Sequence, residues 1–367
     1  MKLQLKKNDF VKLLQRMQGI VEKRNTMPVL GNVLLDCGKT RLTIIATDLE
    51  VFIKDSIEAD ISEEGAITLN AKKLFDIVKE LPTEIVSIAS HNDKALIKSG
   101  KSRVNLMGLP AKDFPQFPAI DETKLAGFDN NILKEMIDKT DFAVSTDETR
   151  YNINGFLLEK DDKDMLRMVA TDGHRLALVE KKDGSAFPWS EKKGVLLPKK
   201  GVNEIRRLLD DEGEFKIYVT QKNATVKKGD TCINTRLLEG EFPDYKKVIP
   251  KDNDKEIIVN RDNLLSSLKR VSIISSDKIQ GVKFAFKKKT LTVSSSSPEL
   301  GDATDEVDID YNGDDIEIAF NARYFIDALE AITEENARIK LKDQLSPGII
   351  TPAVAEGYVY VVMPMRI

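Results

Sequence analysis

Apolar side chains recur at helical spacing in six stretches of the chain. The first stretch places Phe10, Leu13, Leu14 and Met17 at positions i, i+3, i+4 and i+7, the pattern of a helix with one buried face. Similar spacing returns within residues 74–78, 133–140, 202–208, 264–271 and 324–329. The pattern therefore predicts six amphipathic helices, in the windows 6–24, 69–82, 130–140, 197–211, 260–270 and 320–333.

Between the helices lie short runs in which apolar and polar residues alternate, which is typical of half-buried strands. Turn residues such as Asn92-Asp93 and Asp183-Gly184 separate runs of this kind. Helices interspersed with short strands in this proportion predict an α+β fold with antiparallel sheets. The clearest runs are Arg41–Ile45, Ala95–Lys98, Lys216–Val219 and Glu356–Val362.

Short motifs recur along the chain at nearly constant offsets. Gly31-Asn32-Val33-Leu34-Leu35 is followed 124 residues later by Gly155-Phe156-Leu157-Leu158. Ala46-Thr47-Asp48 is followed at the same offset by Ala170-Thr171-Asp172, and a fainter third copy begins at Gly281. The 367 residues thus indicate three copies of one unit of about 122 residues, each with two helices.

The repeat predicts three domains, at residues 1–122, 127–250 and 254–367. Proline-bearing stretches at Phe114–Asp121 and Pro250–Lys255 lie near the predicted boundaries. The alternative is chance similarity among three ordinary α+β domains, which the shared offsets disfavour.

Composition excludes several classes of protein. No stretch approaches the roughly 18 to 20 apolar residues of a membrane span, and no apolar signal-peptide core follows the first lysines, so we expect a soluble, cytoplasmic protein with no membrane partner. Two cysteines, Cys37 and Cys232, cannot form a disulfide framework, and two histidines make a structural metal site unexpected. Neither a Walker-type loop nor a Gly-x-Gly-x-x-Gly sequence occurs, so we expect no nucleotide cofactor.

Charge is distributed unevenly between helices and strands. The formal net charge of −4 argues against a protein that holds nucleic acid by its overall charge. The six helix windows nevertheless sum to +7, which leaves −11 for the rest of the chain. Basic helix faces suit phosphate contacts that do not read sequence, although solvated faces with local ion pairs are the other interpretation. The threefold repeat of helix pairs favours nucleic acid.

Four segments, taken together, resemble the signature of a known family. They are Met27–Asn32, Met168–Ala177, Phe242–Tyr245 and Val361–Arg366. Their order and spacing across all three units are similar to those of the bacterial sliding clamps, the β subunits of DNA polymerase III. The resemblance implies half of a closed ring: a homodimer that encircles double-stranded DNA and confers processivity on the replicative DNA polymerase. It implies no catalysis and no cofactor.

The resemblance also implies a peptide-binding cleft between the second and third units. Its partners would be the catalytic subunit of the replicative DNA polymerase, the clamp loader, translesion polymerases and mismatch-repair proteins. Met363 and Met365 are unbranched and can adapt to several partner side chains, while Arg175 and Arg366 can bond partner backbone or carboxylate groups. The implied cleft residues are Ile153, Thr171, Gly173, His174, Arg175, Leu176, Pro243, Lys247, Val248, Ser346, Val361, Met363, Pro364, Met365 and Arg366.

Two further surfaces follow from the charge pattern and the resemblance. The candidate DNA contacts are Arg24, Lys72, Lys73, Tyr151, Lys199 and Lys200, with Asn152 standing where some family members have a second tyrosine. For the dimer interface, the family suggests Val104 and Leu106 of the first unit against Ile273 and Ile274 of the third. These four apolar residues fit a plain core equally well.

Four other interpretations stay open at this point. Asp172 and His174 are spaced for acid–base chemistry in a hydrolase, although no matched nucleophile or metal cluster is visible. The same segment fits an ordinary β-turn, and Val361–Arg366 fits an ordinary edge strand. The basic helices also fit a DNA-binding protein that does not encircle its ligand.

Overall fold

Each amphipathic stretch forms an α-helix whose apolar positions face the core. In the first helix, Phe10, Leu13, Leu14 and Met17 are all buried. The computed structural model describes residues 1–21, 27–161, 163–182, 187–189, 194–210, 214–275 and 281–366. Within these ranges, no helix is long and apolar enough to cross a membrane. The helices are α1 (Lys7–Met17), α2 (Ala71–Glu80), α3 (Asn130–Asp138), α4 (Lys199–Leu209), α5 (Arg261–Ser272) and α6 (Ala322–Ala331).

Three of the helices begin at an asparagine that also ends the preceding strand. The side-chain oxygens of Asn70, Asn260 and Asn321 accept backbone hydrogen bonds at the starts of α2, α5 and α6, at 3.0, 3.1 and 2.9 Å. A capping side chain satisfies an N–H group that has no partner inside the helix, and such a cap contributes about 1 kcal/mol. The strand-to-helix junction is therefore fixed locally in the same way at three places.

The first sheet is antiparallel and has thirteen strands, in the order β10-β15-β16-β17-β4-β3-β2-β6-β9-β8-β7-β1-β5. It lies within one compact unit, which takes its residues from 1–130, 187–191 and 200–237. The strands are β1 (Lys2–Lys6), β2 (Asn32–Cys37), β3 (Arg41–Thr47), β4 (Val51–Glu58), β5 (Asp60–Glu63), β6 (Gly65–Asn70), β7 (Ile85–His91), β8 (Lys94–Ser99), β9 (Ser102–Leu109), β10 (Ala126–Gly127), β15 (Phe215–Val219), β16 (Asn223–Lys228) and β17 (Thr231–Arg236).

The second sheet is antiparallel and has twelve strands, in the order β14-β11-β12-β13-β25-β24-β23-β18-β21-β20-β19-β22. It lies within the other compact unit, which takes its residues from 131–186, 192–199 and 238–367. The strands are β11 (Gly155–Lys160), β12 (Leu166–Thr171), β13 (Arg175–Lys181), β14 (Val195–Pro198), β18 (Lys255–Asn260), β19 (Gly281–Lys287), β20 (Thr290–Ser297), β21 (Gly301–Asp310), β22 (Ile316–Asn321), β23 (Asn336–Leu341), β24 (Gly348–Pro352) and β25 (Tyr358–Val362).

The central repeat contributes strands to both sheets. Its strands β15, β16 and β17 extend the first sheet, where β17 pairs with β4. Its strands β11 to β14 belong to the second sheet, where β13 pairs with β25. The α+β class with antiparallel sheets is thus confirmed, while the residue bounds of the three domains stay a prediction.

A few predicted elements differ in detail. Thr140, expected on the buried face of the third helix, lies beyond the end of α3, and its hydroxyl donates to the carbonyl of Met136 at 2.7 Å. The last strand begins at Tyr358 rather than Glu356, because the backbone of Gly357 has a φ of +89° and turns the chain there. The predicted turn at Asp183-Gly184 lies outside the described residues.

Candidate functional site

The turn between β12 and β13 is held by the two residues that precede it. The Thr171 hydroxyl accepts the N–H of Gly173 at 3.1 Å and donates to the carbonyl of Arg175 at 2.6 Å. The Asp172 carboxylate accepts the N–H groups of His174 and Arg175, at 2.9 and 3.0 Å. Threonine and aspartate side chains replace backbone partners in turns of this type, so the Ala-Thr-Asp motif specifies the turn locally.

Two features of this turn favour glycine at position 173. Its φ of +89° is in the left-handed region, which side chains disfavour. A Cβ atom at this position would also lie 2.8 Å from the guanidinium of Arg150. Arg150 donates to the carbonyl of Asp172 at 3.1 Å and so covers the glycine.

Arg175 is enclosed by acids and aromatic rings. Its Nε donates to Asp172 at 3.1 Å and its Nη1 to Asp327 of α6 at 2.5 Å. The guanidinium carbon lies 4.5 Å from the ring centroid of Tyr324 and 5.3 Å from that of Phe142. Its side chain is 13% exposed, and its donors are largely engaged within the chain. The sequence had suggested instead that these donors bond a partner.

Pairing of β13 with β25 brings the C-terminal run beside this turn. Arg175 is opposite Val362, and Leu176 is opposite Val361. The N–H of Met363 then donates to the carbonyl of His174 at 2.9 Å. The run therefore begins as a strand of the sheet and also borders the turn. It is not the edge strand that the sequence suggested, because β25 pairs with β13 on one side and with β24 on the other.

A small apolar cavity of about 120 Å³ opens where these elements meet. Behind it, Leu176, Tyr245 and Val361 belong to one buried cluster. The hydroxyl of Tyr245 donates to Glu159 at 2.5 Å, and burial raises the pKa of this phenol well above its usual range. This apolar cavity is lined by Arg150, Thr171, Gly173, Arg175, Leu176, Pro243, Tyr245, Val248, Val361 and Met363.

A second cavity of about 320 Å³ shares Arg150 and Arg175 with the first. Its lining is mostly polar, and four of its side chains are arginine, histidine or lysine. This polar cavity is lined by Phe142, Val144, Ser145, Thr146, Asp147, Arg150, Asp172, His174, Arg175 and Lys199.

Eight of the fifteen predicted cleft residues line the apolar cavity, and His174 lines the polar cavity. Among the others, Ile153 is buried at 1% exposure at the end of a 3₁₀ helix, Glu148–Ile153. Lys247 is exposed and pairs with Asp244 at 3.0 Å. The structure brings neither residue to the two cavities.

The remaining four predicted residues are Pro364, Met365 and Arg366, at the end of the C-terminal run, and Ser346, in the loop between β23 and β24. Pro364 and Met365 are half-buried, Arg366 is exposed, and the Met365 N–H donates to the carbonyl of Ala319 at 2.7 Å. Ser346 is half-buried, and its N–H donates to Asp343 at 2.8 Å. None of the four lines either cavity.

Sequence reasoning missed several residues that shape the site. Arg150 lines both cavities, and Tyr245 lines the apolar one. Tyr245 stands in the Phe-Pro-Asp-Tyr segment, which was a usable signal. Asp327 and Tyr324 had no such signal, because they lie on α6, about 150 residues from the turn that they contact.

The carboxylate of Asp172 is engaged with backbone N–H groups and with Arg175. This arrangement makes Asp172 a structural group of the turn rather than a partner that orients the His174 imidazole for acid–base chemistry. Among the described residues, no group of three or more histidine, cysteine, aspartate or glutamate side chains is placed to hold a metal ion.

The predicted DNA contacts occupy varied positions. Lys72 and Lys73 are exposed in the first turn of α2, and Tyr151 is 62% exposed. Lys199 is half-buried, whereas Lys200 forms an ion pair with Asp48. Arg24 lies outside the described residues.

The predicted dimer residues are not plain core. Val104 and Leu106 are half-buried on one face of β9. Ile273 is 73% exposed just beyond α5, and Ile274 is half-buried.

Comparisons with known proteins cover the whole described chain. Three family models match consecutive segments: DNA polymerase III beta subunit, N-terminal domain, at residues 1–118; central domain, at 128–244; and C-terminal domain, at 246–366. The beta sliding clamp of Caulobacter vibrioides is 37% identical over 377 residues, with all of both chains covered. That of Escherichia coli is 34% identical over 370 residues, again with all of both chains covered.

Solved structures agree with the sequence relatives. A sliding clamp from Bartonella birtlesii bound to griselimycin superposes with a TM-score of 0.95 at 34% identity, with all of both chains covered. The DNA polymerase III subunit beta of Pseudomonas aeruginosa superposes with a TM-score of 0.92 at 36% identity, with the same coverage. The chain therefore belongs to the DNA polymerase III beta subunit family, the beta sliding clamps.

Proposed function

We propose that two copies of this chain form a closed ring around duplex DNA in the cytoplasm and tether the replicative polymerase to it. The ring has no catalytic step of its own, because its effect comes from topology. The partners that bind its peptide cleft are the polymerase catalytic subunit, the clamp loader, translesion polymerases and mismatch-repair proteins. The observation that carries the ring is a pair of open strand edges with opposite charge.

The first open edge is basic. Among the residues that the structure describes, 102–107 of β9 pair only with β8, because the contact of β9 with β6 is confined to Gly108 and Leu109. Residues 94–109 contain Lys94, Lys98, Lys101 and Arg103 and no acidic residue. Open edges offer unpaired backbone groups to another strand, and lysines keep such an edge soluble.

The second open edge is acidic. Residues 301–308 of β21 pair only with β20 in the described chain, because β18 reaches β21 only at Ile309 and Asp310. Residues 301–310 contain five acidic side chains and no basic one. Asp305 is already paired with Arg270 at 2.5 Å, whereas Asp302, Glu306 and Asp308 are exposed.

An interface between these two different edges is head-to-tail, and head-to-tail interfaces close into rings when the rotation permits. Pairing β9 of one copy with β21 of the other joins opposite charges and satisfies backbone groups on both strands. It also brings the half-buried Val104 and Leu106 toward the third repeat, where Ile273 is 73% exposed at the end of α5. Two copies with three repeats each supply six repeats to the ring.

Inside the ring, exposed lysines of the helices contact phosphate without reading bases. Lys72 and Lys73 have the exposure that this role requires, and Tyr151 offers a ring that is 62% exposed. Lys200 contributes less, because Asp48 already neutralises its ammonium. Weak, unspecific contacts of this kind permit sliding.

Retention on closed DNA tests the ring. Protein loaded on a circular plasmid by a competent loader should stay bound at moderate salt and should be released when the plasmid is cut. Reversing the basic edge with Lys101→Glu and Arg103→Glu should abolish retention and shift the solution mass from two chains toward one chain of 41.1 kDa. Adding Asp302→Lys and Glu306→Lys to the same chain should restore both.

Prompt loss of the wild-type protein from uncut circles would contradict the topological mechanism. Binding that ignores free ends and falls steeply with salt would instead support a DNA-binding protein that does not encircle its ligand. Family membership does not favour that alternative.

A further inference from the structure

The polar cavity beside the apolar cavity is lined by the cations Arg150, Arg175 and Lys199 and by two carboxylates, those of Asp147 and Asp172. Of its basic side chains, Arg175 is paired with Asp172 and Asp327. Arg150 bonds a backbone carbonyl, and neither it nor Lys199 forms an ion pair within the part of the chain that the structure describes. Two cations thus remain available in a cavity of about 320 Å³.

The two acids of this cavity are each bonded locally. Asp172 is engaged with Arg175, as described above. Asp147 accepts the N–H and the hydroxyl of Thr149 at 2.9 and 2.7 Å, and these hydrogen bonds, with the hydroxyl bond first, hold its pKa below its ordinary value. Both carboxylates are therefore bonded locally, and the charge of Arg150 also helps to lower the pKa of Asp147. Lys199 is left as the main cation for an external anion, with Arg150 beside it.

We propose that the polar cavity binds a carboxylate of the partner peptide, next to the apolar anchor that enters the apolar cavity. This inference rests on the proposed peptide cleft and adds a specificity element to it. The two cavities share Arg150 and Arg175, so a single extended peptide can reach both. Arg150 offers a planar fork of donors and Lys199 a point charge, a combination that suits one carboxylate.

A peptide carboxylate fits this place better than a phosphate of duplex DNA. The cavity is concave and bordered by Phe142 and Val144, so it admits one side chain rather than a row of phosphates. A single carboxylate can lie against Arg150 and Lys199, whereas the several phosphates of a nucleic-acid backbone carry more charge than these two cations can balance. The carboxylate comes either from a glutamate or aspartate side chain or from the free C-terminus of the partner.

Peptide affinity tests the proposal. Four synthetic peptides carry the same apolar anchor, a Leu-Phe pair for the apolar cavity. The reference peptide is neutral, with Gln flanks and an amidated end. The other three differ from it by a Glu before the anchor, a Glu after the anchor, or a free C-terminal carboxylate. Fluorescence anisotropy of the full-length protein without DNA gives the Kd of each. We expect at least one acidic peptide to bind about fivefold more tightly than the neutral peptide, with the gain shrinking at high salt.

Neighbouring lysines provide the matched variants. Lys199→Gln should bring the Kd ratio of neutral to acidic peptide to about one. Lys200→Gln removes the same charge one position along the chain, from a side chain that pairs with Asp48 and lines neither cavity, and should keep the full ratio. The thermal midpoint of each variant shows that it is folded.

Two results would overturn the carboxylate site. One is equal affinity of wild-type protein for all four peptides; the other is a gain that persists in Lys199→Gln. If Lys199→Gln and Lys200→Gln weaken duplex DNA binding equally while no peptide gain exists, Lys199 serves DNA and the proposal is wrong. Failure of the neutral peptide to bind wild-type protein would instead contradict the peptide cleft itself, which distinguishes the two proposals.

Discussion

Two turns in this molecule share one backbone design and differ in what surrounds it. In the first repeat, the Thr47 hydroxyl accepts the N–H of Leu49 at 2.9 Å, and Asp48 accepts the N–H of Val51 at 2.7 Å. Thr171 and Asp172 make the corresponding bonds in the second repeat. The residue after the aspartate has a positive φ in both, +80° at Leu49 and +89° at Gly173.

The two turns differ in the side chain that pairs with each aspartate and in the burial of the residue that follows the aspartate. Asp48 pairs with Lys200 of α4, and Leu49 is 47% exposed. Asp172 pairs with Arg175 from its own turn, and that arginine is held from the other side by Asp327. The shared motif therefore builds a turn, and the residues that follow it decide what surrounds that turn.

Removal of the second carboxylate around Arg175 should have the largest effect. Asp327→Asn leaves a guanidinium that is 13% exposed with Asp172 as its remaining acid, and we expect the free energy of unfolding to fall by about 3 kcal/mol. Affinity for an anchor peptide should fall with it, because Arg175 lines both cavities. Urea unfolding and peptide anisotropy measure the two effects.

The matched change in the first repeat is Asp48→Asn. Lys200 can turn into solvent when its partner is lost, so we expect a cost of about 1 kcal/mol and no change in peptide affinity. Equal destabilisation by the two substitutions would mean that the aspartates play the same role, and the contrast between the turns would fail.

Exchange of the residues at the tips should have an intermediate effect. Gly173→Ala introduces a Cβ atom 2.8 Å from the Arg150 guanidinium at a positive φ, and we expect a cost of about 2 kcal/mol together with loss of peptide affinity as Arg150 moves. Leu49→Gly relieves the strain at a φ of +80° and should change stability by less than about 1 kcal/mol. Normal peptide binding by Gly173→Ala would show that Arg150 need not cover the glycine.

The smallest effect concerns Glu204, which lies one helical turn after Lys200 on α4 and is 6% exposed. Burial raises the pKa of Glu204, while the nearby Arg207 and Lys200 oppose the shift and Asp48 adds to it. Because its folded-state pKa exceeds the unfolded value, the stability that Glu204 contributes is complete in acid and is lost as the pH rises through the folded-state pKa.

The thermal midpoint of the wild-type protein should therefore fall relative to that of Glu204→Gln between about pH 4 and pH 8. If the thermal midpoints of the two proteins instead differ by the same amount at every pH in that range, Arg207, at 2.5 Å from the carboxylate, cancels the cost of burial. Repeating the series in Asp48→Asn should reduce the slope, because Asp48 contributes to the raised pKa.

Periodicity in the sequence predicted the helices because each buries one face against its own sheet, and that requirement is local. A β-turn at Asp172 and His174 was also among the interpretations of the sequence, while the cleft around that turn came from the family resemblance. The surroundings of Arg175 could not be predicted, since Asp327 is 152 residues away and nothing in an amphipathic helix marks an acid as a buried partner. Ile153 lines neither cavity for a related reason, because a short 3₁₀ helix turns it inward without any periodic signal.

Two adjacent lysines also show what the sequence alone could not predict. Lys199 and Lys200 look equivalent as a basic pair, yet successive helical residues point about 100° apart. One consequently lines the polar cavity and the other is neutralised by Asp48. Charge counted along the sequence cannot distinguish them.

The central repeat contributes strands to two sheets, and this division has consequences for cleavage of the loops between repeats and for the origin of the chain. The ladders between β17 and β4 and between β13 and β25 join successive repeats through main-chain hydrogen bonds, not only through the peptide that links them. We expect a seam of that kind to survive a nick in the connecting loop. It also does not distinguish a neighbour on the same polypeptide from one on another, so rings assembled from shorter, separate chains need no new chemistry at their joints.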